Sequence, residues 1–312
     1  MLMSPLLVLV EHSHLLACMM PLGTSLISLT IYGWAGTCAF YLVHRKWCKA
    51  AIVFGSIFVV CGIIIAMPHS ISPRPAWLDR IVHMPRCFSC GPSTLKRART
   101  IAYEARQLME RFSDADVIIM PESAVVDADL FSCDECVTLL SVHHIKKAVH
   151  IIAGSFAYDE QRYYRNACYW VYDGHVCQRH DKRHTMPLTE RIPSLCDYSF
   201  IRDFYFAQAS QVAASARDRK PFIIGDTCVL MPYICSELFF NTWPESDNTR
   251  YPIVVIVNDS WCPALYIRRL LYYLARFKAM QWKRDIVYVS YYYAALCDAT
   301  GGIHYLQSYD YT

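Results

Sequence analysis

Three uninterrupted apolar runs, each closed by a short polar segment, constrain this chain most. Val117-Ile118-Ile119-Met120 stops at Pro121-Glu122-Ser123. Cys228-Val229-Leu230-Met231 leads through Pro232-Tyr233-Ile234 to Cys235-Ser236-Glu237, and Val254-Val255-Ile256-Val257 stops at Asn258-Asp259-Ser260-Trp261. A run without polar alternation suits a strand covered on both faces. In layered α/β folds the ends of such strands are where ligands meet polar groups, so the three junctions point to one shared site.

The intervening sequence supplies the other layers. Ser93 is placed to cap a helix whose apolar positions Ile101, Ala105, Leu108 and Phe112 recur at helical spacing. Val149 to Ala157 and Asn166 to Asp173 read as strands, the second closed by the turn Asp173-Gly174. Pro263 starts a helix carrying Ile267, Leu270, Leu274 and Phe277 inward. Ile286 to Leu296 reads as one further strand, the tyrosines Tyr291-Tyr292-Tyr293 included, and few strands are expected after Gly302.

The N-terminal region differs in kind. Leu15 to Val43 carries no charged side chain, and Ala50 to Met67 is a second uncharged run of 18 residues. Each is long enough to cross a bilayer as a helix, so residues 1–67 are read as a membrane anchor with transmembrane helices at about 15–43 and 50–67. A composition 54% hydrophobic and 18% charged agrees. The linker His44-Arg45-Lys46-Trp47-Cys48-Lys49 is cationic whereas no Lys or Arg precedes Leu15. The positive-inside tendency therefore keeps the linker cytoplasmic and delivers the chain beyond Pro68 to the outer, periplasmic side of a bacterial inner membrane. Residues 68–77 are a proline-stiffened linker, and 78–312 form the domain that follows it.

An isolated cysteine such as Cys235 reads first as a buried structural residue, since free Cys is among the most buried types. Glu122 and Lys182 reverse that reading. A thiol of ordinary pKa, about 8.5, is only a few per cent thiolate at neutral pH, and a nucleophile made from it needs a base and a cation nearby. The order Glu122, Lys182, Cys235, with separations 182 − 122 = 60 and 235 − 182 = 53 residues, resembles the nitrilase, or carbon–nitrogen hydrolase, superfamily. Within it, Met120-Pro121-Glu122-Ser123, Lys182-Arg183-His184 with Met186-Pro187 and Glu190, Ile234-Cys235-Ser236-Glu237 and Asn258-Asp259-Ser260-Trp261 are similar to motifs of the apolipoprotein N-acyltransferase branch. The resemblance runs from about residue 78 to the C-terminus. It departs at Ser236, Cys262-Pro263 and Leu188-Thr189, and in the shorter membrane region, which suits the nitrilase-like conjugal transfer proteins at least as well.

The resemblance implies an αββα sandwich and a triad in which Glu122 is the base, Lys182 faces the oxyanion and Cys235 attacks. Glu190, Ser236, Glu237, Asn258 and Trp261 would support the triad or bind substrate, with Glu190 and Glu237 first of all partners of the lysine. It implies acyl transfer through a thioester; a conjugal transfer or envelope-assembly role and a tethered amidase are the alternatives. The substrate would be a membrane lipid or lipoprotein, and a homo-oligomer or membrane complex is compatible.

No cofactor or metal is expected. The pairs Cys87/Cys90 and Cys133/Cys136 lie on either side of Glu122 and too far apart for a zinc ribbon, so local disulfides or free thiols are the reading. His143-His144 and His150, on a helix-like segment beside Lys146 and Lys147, read as surface residues. A net charge of +3, evenly spread, argues against a nucleic-acid partner.

Overall fold

The computed structural model describes residues 24–49, 51–53, 56, 73–88, 93–144, 147–160, 163–186, 190, 198, 212–214, 219–225, 228–239, 251–260 and 265–308. The chain divides into two compact units, one of Met1–Pro73, Ala264–Ile286 and Cys297–Ile303, the other of Arg74–Pro263, Val287–Leu296 and His304–Thr312. In the first, α1 (Thr24–Val43) lies within the leading uncharged run. Among the described residues no helix is long and apolar enough to cross a membrane. Residues 15–23 and most of 50–67 lie outside them.

The second unit holds β1 (Ile81–His83), α2 (Thr94–Arg111), β2 (Val117–Ile119), α3 (Asp134–Leu139), the short antiparallel pair β3 (His143–His144) and β4 (Lys147–Ala148), then β5 (His150–Tyr158), β6 (Tyr164–Tyr172), β7 (His175–Asp181), β8 (Phe222–Ile224), β9 (Cys228–Ile234) and β10 (Ile253–Ile256). Helix α4 (Leu265–Trp282) belongs to the first unit, where the Arg276 guanidinium donates to the Gly301 carbonyl at 2.7 Å. Strands β11 (Ile286–Val289), β12 (Ala294–Cys297), β13 (Ile303–Tyr305) and β14 (Gln307–Ser308) complete the order. One six-stranded sheet runs β14-β1-β2-β5-β6-β7 and the other β13-β12-β11-β10-β9-β8.

Strand alternation explains the layering. Val82, Ile118, Ile151 and Ala153 point into a core shared with Ile101, Ala105 and Leu108 of α2 and Val137 of α3. Their neighbours Ile81, Val117, Ile119 and Ile152 point the other way, into a core shared with Leu230, Ile234, Val254, Ile256, Val287 and Val289 of the second sheet. The first sheet is thus covered on both faces, by helices and by the second sheet, which is why its strands read as continuous apolar runs. Ser93 caps α2 as its position predicts, accepting from the Lys96 amide at 3.3 Å. Pro232 sits inside β9 without breaking the ladder, because β8 pairs only as far as Leu230 and the missing N–H would point beyond its end.

Four sequence expectations are corrected. Ile286 to Leu296 is two strands, with Tyr291 and Tyr292 in the intervening turn, where the Ser290 hydroxyl accepts from the Tyr292 and Tyr293 amides at 3.3 and 3.0 Å. Strands β13 and β14 do follow Gly302, β14 pairing in parallel with β1. His143-His144 is a strand. His150 is buried, stacked on Tyr172 and accepting from the Trp170 indole at 3.1 Å, since it opens a strand whose register places it opposite Tyr172. Cys133 and Cys136 are free thiols, whereas Cys90 lies outside the described residues.

Candidate active site

Four of the expected site residues follow the C-terminal ends of strands, Glu122 after β2, Lys182 after β7, Cys235 after β9 and Asn258 after β10, while Glu190 lies in the loop beyond Lys182. Glu122 is 4% exposed. Its Oε1 accepts from the Asn166 amide at 2.7 Å and from the Lys182 ammonium at 2.9 Å, and its Oε2 from the Asn258 backbone N–H at 2.8 Å. The following residue, Ser123, holds φ at 55°, a left-handed conformation that costs a non-glycine residue about 1–2 kcal/mol.

Lys182 is 1% exposed and reaches Oε1 of Glu190 at 2.8 Å as well as Glu122. Burial pulls its pKa down, but Glu122, Cys235 and Glu190 outweigh burial and hold it above the usual lysine range. Glu190 folds the lysine loop back on itself, accepting from the Met186 amide at 2.7 Å.

Cys235 begins a short 3₁₀ turn, Cys235–Phe239, with φ at 44°, so the strand ends in a sharp elbow and the side chain stays partly exposed. Its thiol is pushed well above the ordinary value by burial and by the negative charge of Glu122. Lys182 opposes this and Glu190 adds to it. At neutral pH the group is therefore a thiol aimed at a carboxylate, with an ammonium alongside.

The neighbours of Cys235 hold the elbow to the lysine loop. Ser236 donates to the His184 carbonyl at 2.6 Å. Glu237, 1% exposed, accepts from the Arg183 amide at 2.9 Å, the Ile234 amide at 2.7 Å and Arg219 at 3.0 Å, and faces His180 Nε2 at 3.2 Å. Burial would raise its pKa, yet His180, Arg219 and the Arg183 amide bring it down to about 2. Glu237 thus contacts the backbone next to Lys182, and Glu190 contacts the lysine itself. Asn258 contributes its backbone to Glu122, while its side chain accepts from Ser260. Trp261 lies outside the described residues. Among the described residues no group of three or more His, Cys, Asp or Glu side chains could hold a metal.

Sequence reasoning missed three contributors. Asn166, 2% exposed on β6, donates to Glu122 and, at 3.1 Å, to Glu190. Its signal was a polar residue inside an apolar strand. Gly154 on β5 has no room for a side chain, because a Cβ would lie 2.6 Å from the Glu122 Cα. The Tyr291 hydroxyl donates to the Ser123 carbonyl at 3.2 Å, and its amide to Asp259 at 3.0 Å.

Solved structures similar to the chain include Nit3 of Saccharomyces cerevisiae, described as a member of branch 10 of the nitrilase superfamily (TM-score 0.47, 14% identity, 70% of this chain and 82% of that one). A carbon–nitrogen hydrolase from Helicobacter pylori G27 is similar at TM-score 0.47 and 12% identity, over 72% of this chain and 82% of that one. Among curated proteins, an apolipoprotein N-acyltransferase from Vibrio vulnificus (strain CMCP6) is 22% identical over 253 residues, 77% of this chain and 48% of that protein. The chain thus spans about half the length of the curated relative it matches. No protein-family model matches it.

Proposed function

We propose that the chain is a nitrilase-superfamily enzyme that forms a thioester on Cys235 and passes the acyl group to an amine at a membrane surface, as its likeness to an apolipoprotein N-acyltransferase suggests. The observation that carries the reading is the convergence of the Cys235 thiol and the Lys182 ammonium on one carboxylate, Glu122. As sulfur attacks the acyl carbon, the thiol proton passes to Glu122 and a C–S bond forms. Lys182 faces the oxygen that gains charge, a contribution of roughly 10²- to 10³-fold per well-placed donor. The intermediate collapses by breaking the bond to the leaving group, which takes the proton from Glu122. An amine then attacks the thioester, giving its proton to Glu122 and from there to the departing thiolate. Water in place of the amine would make the same site an amidase.

Membrane attachment rests on the two uncharged N-terminal runs, and the outer-face location on the cationic linker between them. Intact mass spectrometry after exposure to a phospholipid donor tests the reading. A lipid-sized adduct absent in Cys235→Ala is expected. Turnover of small amides without any lipid adduct overturns acyl transfer in favour of the amidase. Neither, with the thiol inert to alkylating probes, favours a partner-binding role of the conjugal transfer kind. A reporter fused after Thr312 and active only in the cytoplasm would overturn the outer-face location.

A further inference from the structure

The site contains a second bridge between its carboxylates. Lys182 Nζ sits between Oε1 of Glu122 and Oε1 of Glu190, at 2.9 and 2.8 Å. Asn166 Nδ2 sits between the same two oxygens, at 2.7 and 3.1 Å. The backbone carbonyl of Asn166 also accepts from the Lys182 amide at 2.8 Å. One residue of β6 therefore touches both carboxylates and the main chain that carries the ammonium.

The amide can be placed only one way. Turned over, its oxygen would face two carboxylate oxygens, so the network fixes Nδ2 as the shared donor. That orientation leaves Asn166 Oδ1 buried without a hydrogen-bond partner among the described residues, in a residue that is 2% exposed. A buried unsatisfied acceptor is unfavourable, and here it is offset by the two hydrogen bonds that Nδ2 donates to the carboxylates. The asparagine thus supplies a neutral donor between two acceptors.

We infer that Asn166 is a positioning residue whose amide keeps Glu122 and Glu190 apart and unshared, so that Glu122 stays free to take the Cys235 proton. This rests on the reading of Cys235 as nucleophile. Two carboxylates held at one donor and deprived of the other tend to share a proton instead, as like charges at close range do. Such sharing would occupy the oxygen that the base needs. The charged and titratable groups facing this pair are Lys182, Cys235 and, through its effect on Tyr291, the phenol of that residue. With the neutral donor removed, the Lys182 ammonium is left to serve two anions.

The test is the rate at which iodoacetamide modifies Cys235 as a function of pH, followed by mass spectrometry of the peptide containing it in the full chain. For Asn166→Leu the rate at neutral pH should fall on the order of 10- to 100-fold. The acid side of the profile should move to higher pH and the rate recover at alkaline pH. Asn166→Asp, which keeps the shape but adds a third carboxylate, should fall further, and Asn166→Gln should restore part of the rate. A uniform fall at every pH would make Asn166 merely structural and overturn the inference, as would an Asn166→Asp profile like that of the parent chain. The outcomes separate the two readings. If Glu122→Gln slows modification but Asn166→Leu does not, the positioning role fails and the nucleophile stands. If Cys235 is inert in the parent chain, both fall.

Discussion

Gly154 and Glu122 approach so closely that a Cβ on the glycine would lie 2.6 Å from the Glu122 Cα, 2.5 Å from the Pro121 carbonyl oxygen and 2.8 Å from the Ser123 nitrogen. All three contacts are to backbone, which cannot swing aside as a side chain can. The hydrogen bond from the Val125 amide to the Gly154 carbonyl, at 3.1 Å, fixes the same approach from the other side. Gly154→Ala is therefore expected to lower stability by about 1–3 kcal/mol, the usual cost of overpacking, and to displace Glu122. Thermal melting would read the first effect. Loss of Cys235 alkylation at neutral pH would read the second.

Lys182 has a different signature, because its charge is buried with two carboxylates. Lys182→Met leaves Glu122 and Glu190 facing each other without a cation, and breaking a buried pair in this way costs about 3–5 kcal/mol. The folded-state pKa of Lys182 is raised above 10.5, so its contribution is fully present below that value and fades only as pH rises through the higher folded value. A measurement at neutral pH captures it whole. Adding Glu190→Gln to Lys182→Met should recover much of the stability but none of the Cys235 reactivity. Denaturation and alkylation on the same two variants check both halves.

How far these features were legible in the sequence depends on the kind of signal each leaves. Val117 to Met120 and Val254 to Val257 were legible because a strand covered on both faces has no polar alternation to hide it. Lys182 was legible only through its order between Glu122 and Cys235, and Glu190 only through a resemblance of the lysine loop, because a cationic loop by itself reads as solvated. The β11–β12 turn was not, because Tyr291 and Tyr292 favour strands and no glycine or proline interrupts them; the turn is held by the Ser290 hydroxyl, by the Ser290 amide on the Tyr293 carbonyl and by Asp259 on the Tyr291 amide. His150 misled through Lys146 and Lys147, neighbours in sequence, whereas its surroundings are set by Tyr172 across the ladder. Asn166 left only the faint signal of a polar residue in an apolar strand, and the roles of Asn166 and Gly154 exist only in three dimensions. Each is an ordinary strand residue until β2 and β7 are brought beside it.

Glu237 predicts an acid transition of its own. Its pKa falls from 4.5 to about 2 on folding, so it contributes stability above pH 4.5 that is lost as pH falls toward 2. The shift corresponds to about 3 kcal/mol. Glu237→Gln should therefore be less stable than the parent chain at neutral pH, and the gap should narrow between pH 4.5 and 2. Chemical denaturation across that interval checks it. A gap independent of pH would mean that shape, and not charge, is what Glu237 contributes.

His83 acts in a separate window. It ends β1, is 2% exposed, and pairs through Nδ1 with the Ser308 hydroxyl at 3.1 Å. Burial lowers its pKa from 6.5 to about 4, against a hydrogen bond with the Ser290 backbone that favours the charged form. The neutral ring is thus the folded form, and the unfolded chain takes up a proton first as pH falls. Stability referable to His83 is complete above pH 6.5 and drains away between 6.5 and about 4, before Glu237 begins to titrate. His83→Leu should flatten the pH dependence in that interval, at the expense of the bond to Ser308, and leave the loss below pH 4.5 intact. Melting temperatures of the two single variants and of the double variant, recorded from pH 7 to 2, would show two separable steps. If His83→Leu leaves the fall between pH 6.5 and 4 unchanged, its burial is not what makes the fold sensitive to mild acid.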